Sequence, residues 1–224
     1  NSSRTSFYRK YLLRTSKWSS SETVLKKSEK KNDYDNHSVL DRFKFQLSNS
    51  NIRTEHTLEP NFSWSCVNVD KIINNYFEKK FILIFPFCSP NLPHKKWPYF
   101  NDLIKVIKKQ HPNLEIAIAP GPNEIKESYE IDATSILKNK ISLNIMELSG
   151  LIVKASFIIS NDTGPAHISA HLNKEGVVIF GHHTTAKKVS IETQKFKSIT
   201  VSNLKKLSAE TVYMKIKNNL ELIN

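Results

Sequence analysis

The sequence is poor in the residues that mark disulfide-rich, collagen-like and membrane-spanning proteins. Its 224 residues include two cysteines, Cys66 and Cys88, which form one pair at most, so a disulfide framework is excluded and a reducing compartment is favoured. Five glycines and nine prolines exclude collagen-like and low-complexity chains. Apolar runs such as residues 81–87 are far shorter than the roughly 18 residues that span a bilayer. With 39% hydrophobic residues, the chain can instead bury a globular core.

Positive charge is in excess and is spread along the chain. There are 33 lysines and arginines against 21 aspartates and glutamates, a formal net charge of +12. This excess suits a polyanionic partner, such as nucleic acid, an anionic membrane face or a phosphorylated substrate. Only five of the 33 are arginines, so a compositional bias without a function explains the charge equally well.

The first 60 residues differ in composition from the rest of the chain. Serine, lysine and asparagine dominate them, and one helix is predicted there, at residues 38–47. After residue 70, apolar runs alternate with amphipathic segments, and we place a domain boundary near residues 60–70. Because the predicted strands are apolar throughout, residues 70–205 are expected to form an α/β fold with a doubly wound parallel sheet, covered on both faces. The predicted strands are 81–85, 114–119, 140–143, 157–160 and 177–180, and the predicted helices are 99–109, 124–131, 145–154, 165–172 and 209–222.

Polar segments follow three of these strands. Ligands of open parallel sheets bind beyond the carboxyl ends of the strands, so we expect the three segments to meet at one rim. The segments are residues 86–98, 120–124 and 161–167.

The third segment is the strongest candidate for a ligand site. Asp162, Thr163 and Gly164 are predicted to form a turn before a helix that starts at Pro165, and the unpaired first amides of a helix bind phosphate groups. Thr163 can cap this helix or donate its hydroxyl to a phosphate, and Gly164 permits close approach of the backbone. His167, one turn further, faces the same ligand. An ordinary capped helix start explains the same residues without a ligand.

Other interpretations of these residues stay open. Asp-Thr-Gly is also found in aspartic proteases, but those enzymes use two carboxylates, this chain has one such triplet, and the helical pattern after it contradicts an all-β fold. His167 and His171 have the spacing of metal ligands on a helix, but no third ligand is evident and a structural pair is favoured. His182 and His183 follow Gly181, where they either line the rim or lie in a solvated loop.

The other two segments contribute charged candidates. Lys95 and Lys96 lie beside the start of a helix, where they can reach a phosphate and neutralise a departing nucleotide. A solvated lysine pair is the alternative. Glu124 is placed to accept hydrogen bonds from a ribose diol, or simply to interact with the positive end of a helix dipole.

Taken together, these motifs resemble a known family. In order and spacing, the sequence is similar to the C-terminal half of the bacterial heptosyltransferase family, glycosyltransferase family 9. The resemblance covers residues 80–222, and residues 37–42 resemble the end of the family's N-terminal domain. The segments that carry it are 95–98, 121–124, 148–160, 161–170 and 177–181.

The resemblance implies a GT-B architecture, in which two Rossmann-like domains face each other across a cleft. Residues 1–65 would be a remnant of the N-terminal acceptor domain with its linker, residues 66–206 the nucleotide-sugar-binding domain, and residues 207–224 a helix that crosses back to the N-terminal domain. Transfer from a nucleotide-diphosphate sugar, typically ADP-heptose, would invert the anomeric carbon without a metal or cofactor. The implied substrate-binding residues are Lys95, Lys96, Glu124, Asp162, Thr163, Gly164, Pro165 and His167.

In that family the N-terminal domain supplies a glycine-rich loop, acceptor contacts and a carboxylate general base. Nothing before residue 60 predicts a strand, loop and helix of this kind, so we expect the chain to be incomplete, with its base in the missing domain. Lys95 is then the one candidate with a catalytic role, as stabiliser of the leaving group. The alternative is a non-catalytic module that binds a nucleotide sugar or a partner. Phe87 also replaces a glycine that is usual in the family and narrows the space for a phosphate.

The resemblance also implies partners and a location. The donor would resemble ADP-heptose, the acceptor would be a glycolipid like the lipopolysaccharide core, and no nucleic acid would be bound. The protein would be cytoplasmic and bacterial, in peripheral contact with the inner face of the inner membrane, whose anionic lipids attract basic surfaces.

Overall fold

The computed structural model describes residues 3–14, 18–20, 25, 28 and 30–223. The chain divides into two compact units. The first contains residues 1–60 with residues 187–190, and the second contains residues 61–186 with residues 191–224. The predicted boundaries of the domains stay a prediction.

The described part of the first unit contains helices and no strand. The predicted helix at residues 38–47 is confirmed as α3, which begins after Ser38. The Ser38 Oγ caps this helix by accepting from the Asp41 amide at 3.3 Å, as a serine at this position favours. The helices of this region are α1 (Ser3–Phe7), continued by a π-helix (Tyr8–Leu13), α2 (Lys31–Asn36) and α3 (Val39–Ser48).

The second unit is built on a parallel sheet. Among the described residues six strands pair in the order β3-β2-β1-β4-β5-β6, and every pairing is parallel. All residues of β1, β4 and β5 are buried, as expected for strands covered on both faces. The predicted doubly wound α/β fold is therefore confirmed. The strands are β1 (Phe81–Phe85), β2 (Glu115–Ile118), β3 (Thr134–Ser135), β4 (Phe157–Asn161), β5 (Gly176–Phe180) and β6 (Phe196–Thr200).

Helices cover the sheet and connect its strands. They are α4 (Asp70–Ile73), α5 (Phe100–Gln110), α6 (Ile125–Ser128), α7 (Ile145–Lys154), α8 (Gly164–His171) and α10 (Ala209–Ile223). A further helix, α9 (Ala186–Val189), follows β5 in the chain, and its residues 187–189 belong to the first unit. Helix α10 packs on α5 through Val212, Ile216 and Leu220, which are fully buried at a spacing of four residues. That the last helix also crosses back to the N-terminal domain stays a prediction.

Helix α7 is fixed at its start and along one face. Asn144 accepts from the Glu147 amide at 2.9 Å while the Glu147 carboxylate accepts from the Asn144 amide at 3.1 Å, a reciprocal capping box. Gly150 lets the backbone at Val67 lie directly on the helix, because a Cβ at residue 150 would collide with the Val67 carbonyl oxygen. Helix α7 is therefore held at its start by the capping box and along its length by the backbone at Val67.

Two features of the sheet differ from the prediction. The strand expected at residues 140–143 is wrong: Asn139 and Lys140 have positive φ angles of 51° and 64°, which turn the chain, and Lys138 and Ile141 form only an isolated antiparallel bridge. The third strand lies instead at Thr134–Ser135. Strand β6 was not predicted, because it lies at an edge and mixes buried and exposed residues. In the described part of the chain, no helix has both the length and the apolar character to cross a membrane.

Candidate functional site

A cavity of about 480 Å³ lies beyond the carboxyl ends of β1, β2 and β4. In the sheet, β2 lies on one side of β1 and β4 lies on the other. The cavity therefore lies at the point where the strand order reverses, which is where open α/β sheets bind their ligands. The three segments predicted to share one rim do meet here. The wall is formed by Phe85, Phe87, Cys88, Ser89, Leu92, Lys95, Ala119, Pro120, Gly121, Glu124, Leu143, Leu148, Asp162, Thr163, Gly164, Pro165 and His167.

The Asp162 carboxylate is the centre of the charged part of this wall. Its side chain is only 4% exposed, and its Oδ2 accepts from the Lys95 Nζ at 2.6 Å and from the His183 Nε2 at 3.0 Å. The His167 Nε2 lies 3.7 Å from its Oδ1. Burial raises the pKa of Asp162, but His167, Lys95 and His183 lower it more, so the pKa lies well below its ordinary value. Asp162 is therefore ionised and paired.

Helix α8 begins at the same wall, with Thr163 in an extended conformation before it. The Thr163 hydroxyl does not cap the helix, so of its two predicted roles only that toward a ligand stays open. Not every amide near the start of this helix is free. Ala166 and His167 donate to the Thr163 carbonyl at 3.1 and 3.4 Å, and Pro165 has no amide hydrogen. Within the described residues, the amides of Thr163 and Gly164 have no protein acceptor.

Gly164 has open space where a side chain would begin. No atom lies within 4 Å of a Cβ built at this position, and its φ is not positive, so neither packing nor backbone strain requires a glycine. Gly164 lines the cavity, so this open space is part of the cavity. This agrees with the expected close approach of a ligand to the backbone, which stays a prediction.

Glu124 also lines the cavity, but one of its oxygens is already engaged. Its Oε2 accepts from the Gly121 amide at 2.8 Å, which closes the turn after β2. Burial raises the pKa of Glu124, against the lowering effect of the Gly121 amide. The Oε1 is left to accept from a ligand.

The structure places the two predicted lysines in different surroundings. Lys95 lies in the cavity wall with its side chain 22% exposed, whereas Lys96 is outside the wall. The Lys96 ammonium forms an ion pair with Glu127 and lies 5.8 Å from the centre of the Phe87 ring. The substituted residue Phe87 is itself part of the cavity wall and of the core.

Sequence reasoning missed two residues that hold the wall in place. Asn161 is 0% exposed; its Nδ2 donates to the Pro86 carbonyl at 2.7 Å and its Oδ1 accepts from the Trp97 amide at 3.0 Å. The Trp97 indole, also fully buried, donates to the Leu207 carbonyl at 2.9 Å. Asn161 thus fixes both ends of the segment that carries Lys95. The available signal was an amide side chain at the end of an apolar strand.

The two alternative interpretations do not fit the structure. A parallel α/β sheet contradicts the aspartic-protease interpretation. His167 and His171 lie in α8, but His171 packs on Phe62 with ring centres 5.6 Å apart. In the part of the chain that the structure describes, no three His, Cys, Asp or Glu side chains are grouped to hold a metal ion. His182 is exposed, and His183 lies behind Asp162.

This fold, with a cavity at the point where the strand order reverses, is that of the GT-B glycosyltransferases. A sequence model of glycosyltransferase family 9 (heptosyltransferase) matches residues 14–217, and the chain belongs to this family. The resemblance found in the sequence is thereby confirmed. A comparison with curated protein sequences finds no match.

Solved structures agree with this assignment of the fold. The E. coli ADP-heptose LPS heptosyltransferase II matches at a TM-score of 0.58 and 16% identity, over 76% of this chain and 58% of that one. The E. coli heptosyltransferase WaaC with ADP matches at a TM-score of 0.58 and 16% identity, over 80% and 55% of the two chains. A family 9 glycosyl transferase from Veillonella parvula matches at 0.62 and 12%, over 84% and 61%. The chain thus spans less than two thirds of each relative's length.

Proposed function

We propose that this chain is the donor-binding part of a heptosyltransferase-type enzyme. It would bind a nucleotide-diphosphate sugar similar to ADP-heptose, from which the sugar passes to a glycolipid acceptor like the lipopolysaccharide core, with inversion. The observation that carries the proposal is the cavity in which a paired lysine, a helix start and a half-buried glutamate share one wall. Family membership and a relative solved with ADP support it.

The diphosphate would lie at the start of α8. The amides of Thr163 and Gly164 and the positive end of the α8 dipole attract an anion there. The Lys95 ammonium lies in the same wall, where it is paired with Asp162. Asp162 and His167 would face the diphosphate and the sugar, and Glu124 would accept from the ribose with its Oε1.

In the proposed transfer, an acceptor hydroxyl attacks the anomeric carbon from the side opposite the leaving nucleoside diphosphate. The bond from the sugar to the diphosphate breaks, and negative charge grows on the departing oxygen. Lys95 and the α8 start would stabilise this charge, since both are fixed in place before the reaction begins.

The acceptor hydroxyl must also lose a proton, and the family's N-terminal domain would supply the base. The alternative is a module that binds the donor without transferring its sugar, and Phe87 in the cavity wall favours it because its ring narrows the space for a phosphate. The two functions are separated by mixing the chain with ADP-heptose and a lipopolysaccharide-core acceptor. Release of ADP that depends on the acceptor supports transfer, and binding without release supports the module.

Calorimetric titration with ADP and ADP-heptose tests the donor site itself. We expect both to bind, and Lys95→Met to bind about 10- to 100-fold more weakly, since a hydrogen bond to a charged group contributes about 1.5–3 kcal/mol. Lys96→Met should lose less, because this lysine lies outside the cavity wall and pairs with Glu127. Gly164→Ala should also weaken binding, since it adds a methyl group to the wall without touching protein atoms.

Lys105→Met is the matched control, since Lys105 is an exposed residue of α5 that pairs with Asp102. It should leave both affinities unchanged. The proposal is refuted if neither nucleotide binds, or if Lys95→Met and Lys105→Met bind equally well.

A further inference from the structure

We propose that His183 is a positioning residue for the donor site, holding the Asp162 carboxylate in the orientation that presents Lys95 to the cavity. This inference rests on the proposed function and concerns a residue that does not line the cavity. The His183 Nε2 lies 3.0 Å from the Asp162 Oδ2, the same oxygen that accepts from Lys95 at 2.6 Å. One carboxylate oxygen is thus shared by the two side chains.

The proton of His183 must lie on Nε2. An ionised carboxylate only accepts hydrogen bonds, so the nitrogen that faces Asp162 has to be the donor. Burial lowers the pKa of His183, against the raising effect of Asp162, and nearby Lys95 and His94 lower it further. The ring is then neutral near pH 7.5, with a bare Nδ1. That nitrogen is buried and has no partner among the described residues.

Two neighbouring rings pack against the imidazole of His183 and restrict its orientation. It lies 6.0 Å from the Phe180 ring at an interplanar angle of 30°, and 5.6 Å from the His94 ring at 64°. Its side chain is only 6% exposed. Phe180 ends β5, and His94 directly precedes Lys95, so His183 connects the loop after β5 to the segment that carries the lysine.

The consequence for binding follows from the two oxygens of Asp162. Oδ2 accepts from Lys95 and His183, whereas the His167 Nε2 lies farther away, 3.7 Å from Oδ1. Without the donor at residue 183, the carboxylate is free to turn and carry the lysine with it. Apparent affinity falls with the fraction of molecules in the competent arrangement, so a tenfold smaller fraction gives about tenfold weaker binding.

Three variants test this, with ADP as the probe in calorimetric titration. His183→Phe keeps a ring and removes the donor, and we expect ADP to bind about tenfold more weakly. His183→Gln restores an N–H donor of similar reach and should recover most of the affinity. His182→Phe changes the exposed neighbouring histidine and should leave the affinity unchanged.

A second measurement needs no ligand. In protein labelled with 15N in histidine, the ring of His183 at pH 7.5 should show a protonated Nε2 and an unprotonated Nδ1. Protonation on Nδ1 alone overturns the inference, because Nε2 could then not donate to Asp162. Thermal unfolding of each variant shows whether it is folded, and the rescue by glutamine separates the loss of a donor from a loss of packing.

The outcomes also separate this inference from the proposed function. If the unchanged chain does not bind ADP, the proposed function fails and this inference with it. If the unchanged chain binds and His183→Phe binds equally well, or His183→Gln binds as weakly as His183→Phe, His183 has no positioning role although the donor site stands.

Discussion

Asn161→Ala should destabilise the second unit more than removal of any one small polar side chain of the cavity wall. The amide of Asn161 links the end of β4 to the Pro86 carbonyl at 2.7 Å and to the Trp97 amide at 3.0 Å. Asn161 and Trp97 are both fully buried. Water therefore cannot replace the lost contacts without a change in the surrounding structure.

The size of the effect follows from the two backbone groups that lose their partner. Each buried group left unsatisfied costs about 1–3 kcal/mol, so the free energy of unfolding should fall by about 2–6 kcal/mol. That is a large share of the roughly 5–15 kcal/mol by which domains are stable. Asn161→Asp keeps the acceptor for Trp97 and loses the donor to Pro86, and it should also be clearly destabilised.

Urea unfolding followed by tryptophan fluorescence measures this loss, because buried Trp97 becomes exposed on unfolding. Asn203→Ala is the control: this exposed side chain accepts from the Lys205 amide at 2.9 Å, and its loss should cost about 1 kcal/mol. The reasoning is refuted if Asn161→Ala costs no more than Asn203→Ala.

Substitutions at two glycines and at Asp162 give further tests of stability in the second unit. Gly150→Ala should destabilise by about 1–3 kcal/mol, because its Cβ collides with the Val67 carbonyl, whereas Gly164→Ala should alter stability by less than about 0.5 kcal/mol; equal urea midpoints would contradict this. The folded protein holds the pKa of Asp162 below its ordinary value of 3.8, so the unfolded chain takes up the proton first. Stability from this group is present above about pH 4 and is lost on acidification, so Asp162→Asn should lose less stability than the unchanged chain between pH 6 and pH 3. An unchanged slope in urea titrations over that interval would show that Asp162 is not paired.

The sheet and the place of the cavity could be predicted from the sequence. Residues 81–85 are all apolar, and such a run favours a strand buried on both faces, which is what β1 is. Parallel strands end at one edge, so the polar segments after them had to converge. The positions of Lys95, Glu124 and Asp162 after parallel strands were therefore enough to predict that they share one wall.

The partners of the charged side chains could not be predicted. Lys95 and Lys96 are equivalent in the sequence, yet one pairs with Asp162, 67 residues away, and the other with Glu127, 31 residues away. Which lysine enters the cavity depends on where the segment after β1 is held, and Asn161 and Trp97 hold it through contacts that no local pattern reveals. The strand at Thr134–Ser135 was missed for a related reason, since two residues are too few to show a periodicity.

A carboxylate in the wall of a proposed diphosphate site is unfavourable if only charge is considered, because Asp162 cancels the charge of Lys95 and would repel the ligand. The position of Asp162 is explained if its main role is to hold the Lys95 side chain in one conformation. A free lysine loses up to roughly 2 kcal/mol of side-chain entropy when it is fixed, and the contact with Asp162 fixes Lys95 before any ligand arrives. The attraction for an anion then depends on the amides of Thr163 and Gly164 and on the α8 dipole, which carry no competing carboxylate. The lysine supplies a charge already held in place, and the helix start supplies the attraction that Asp162 removes.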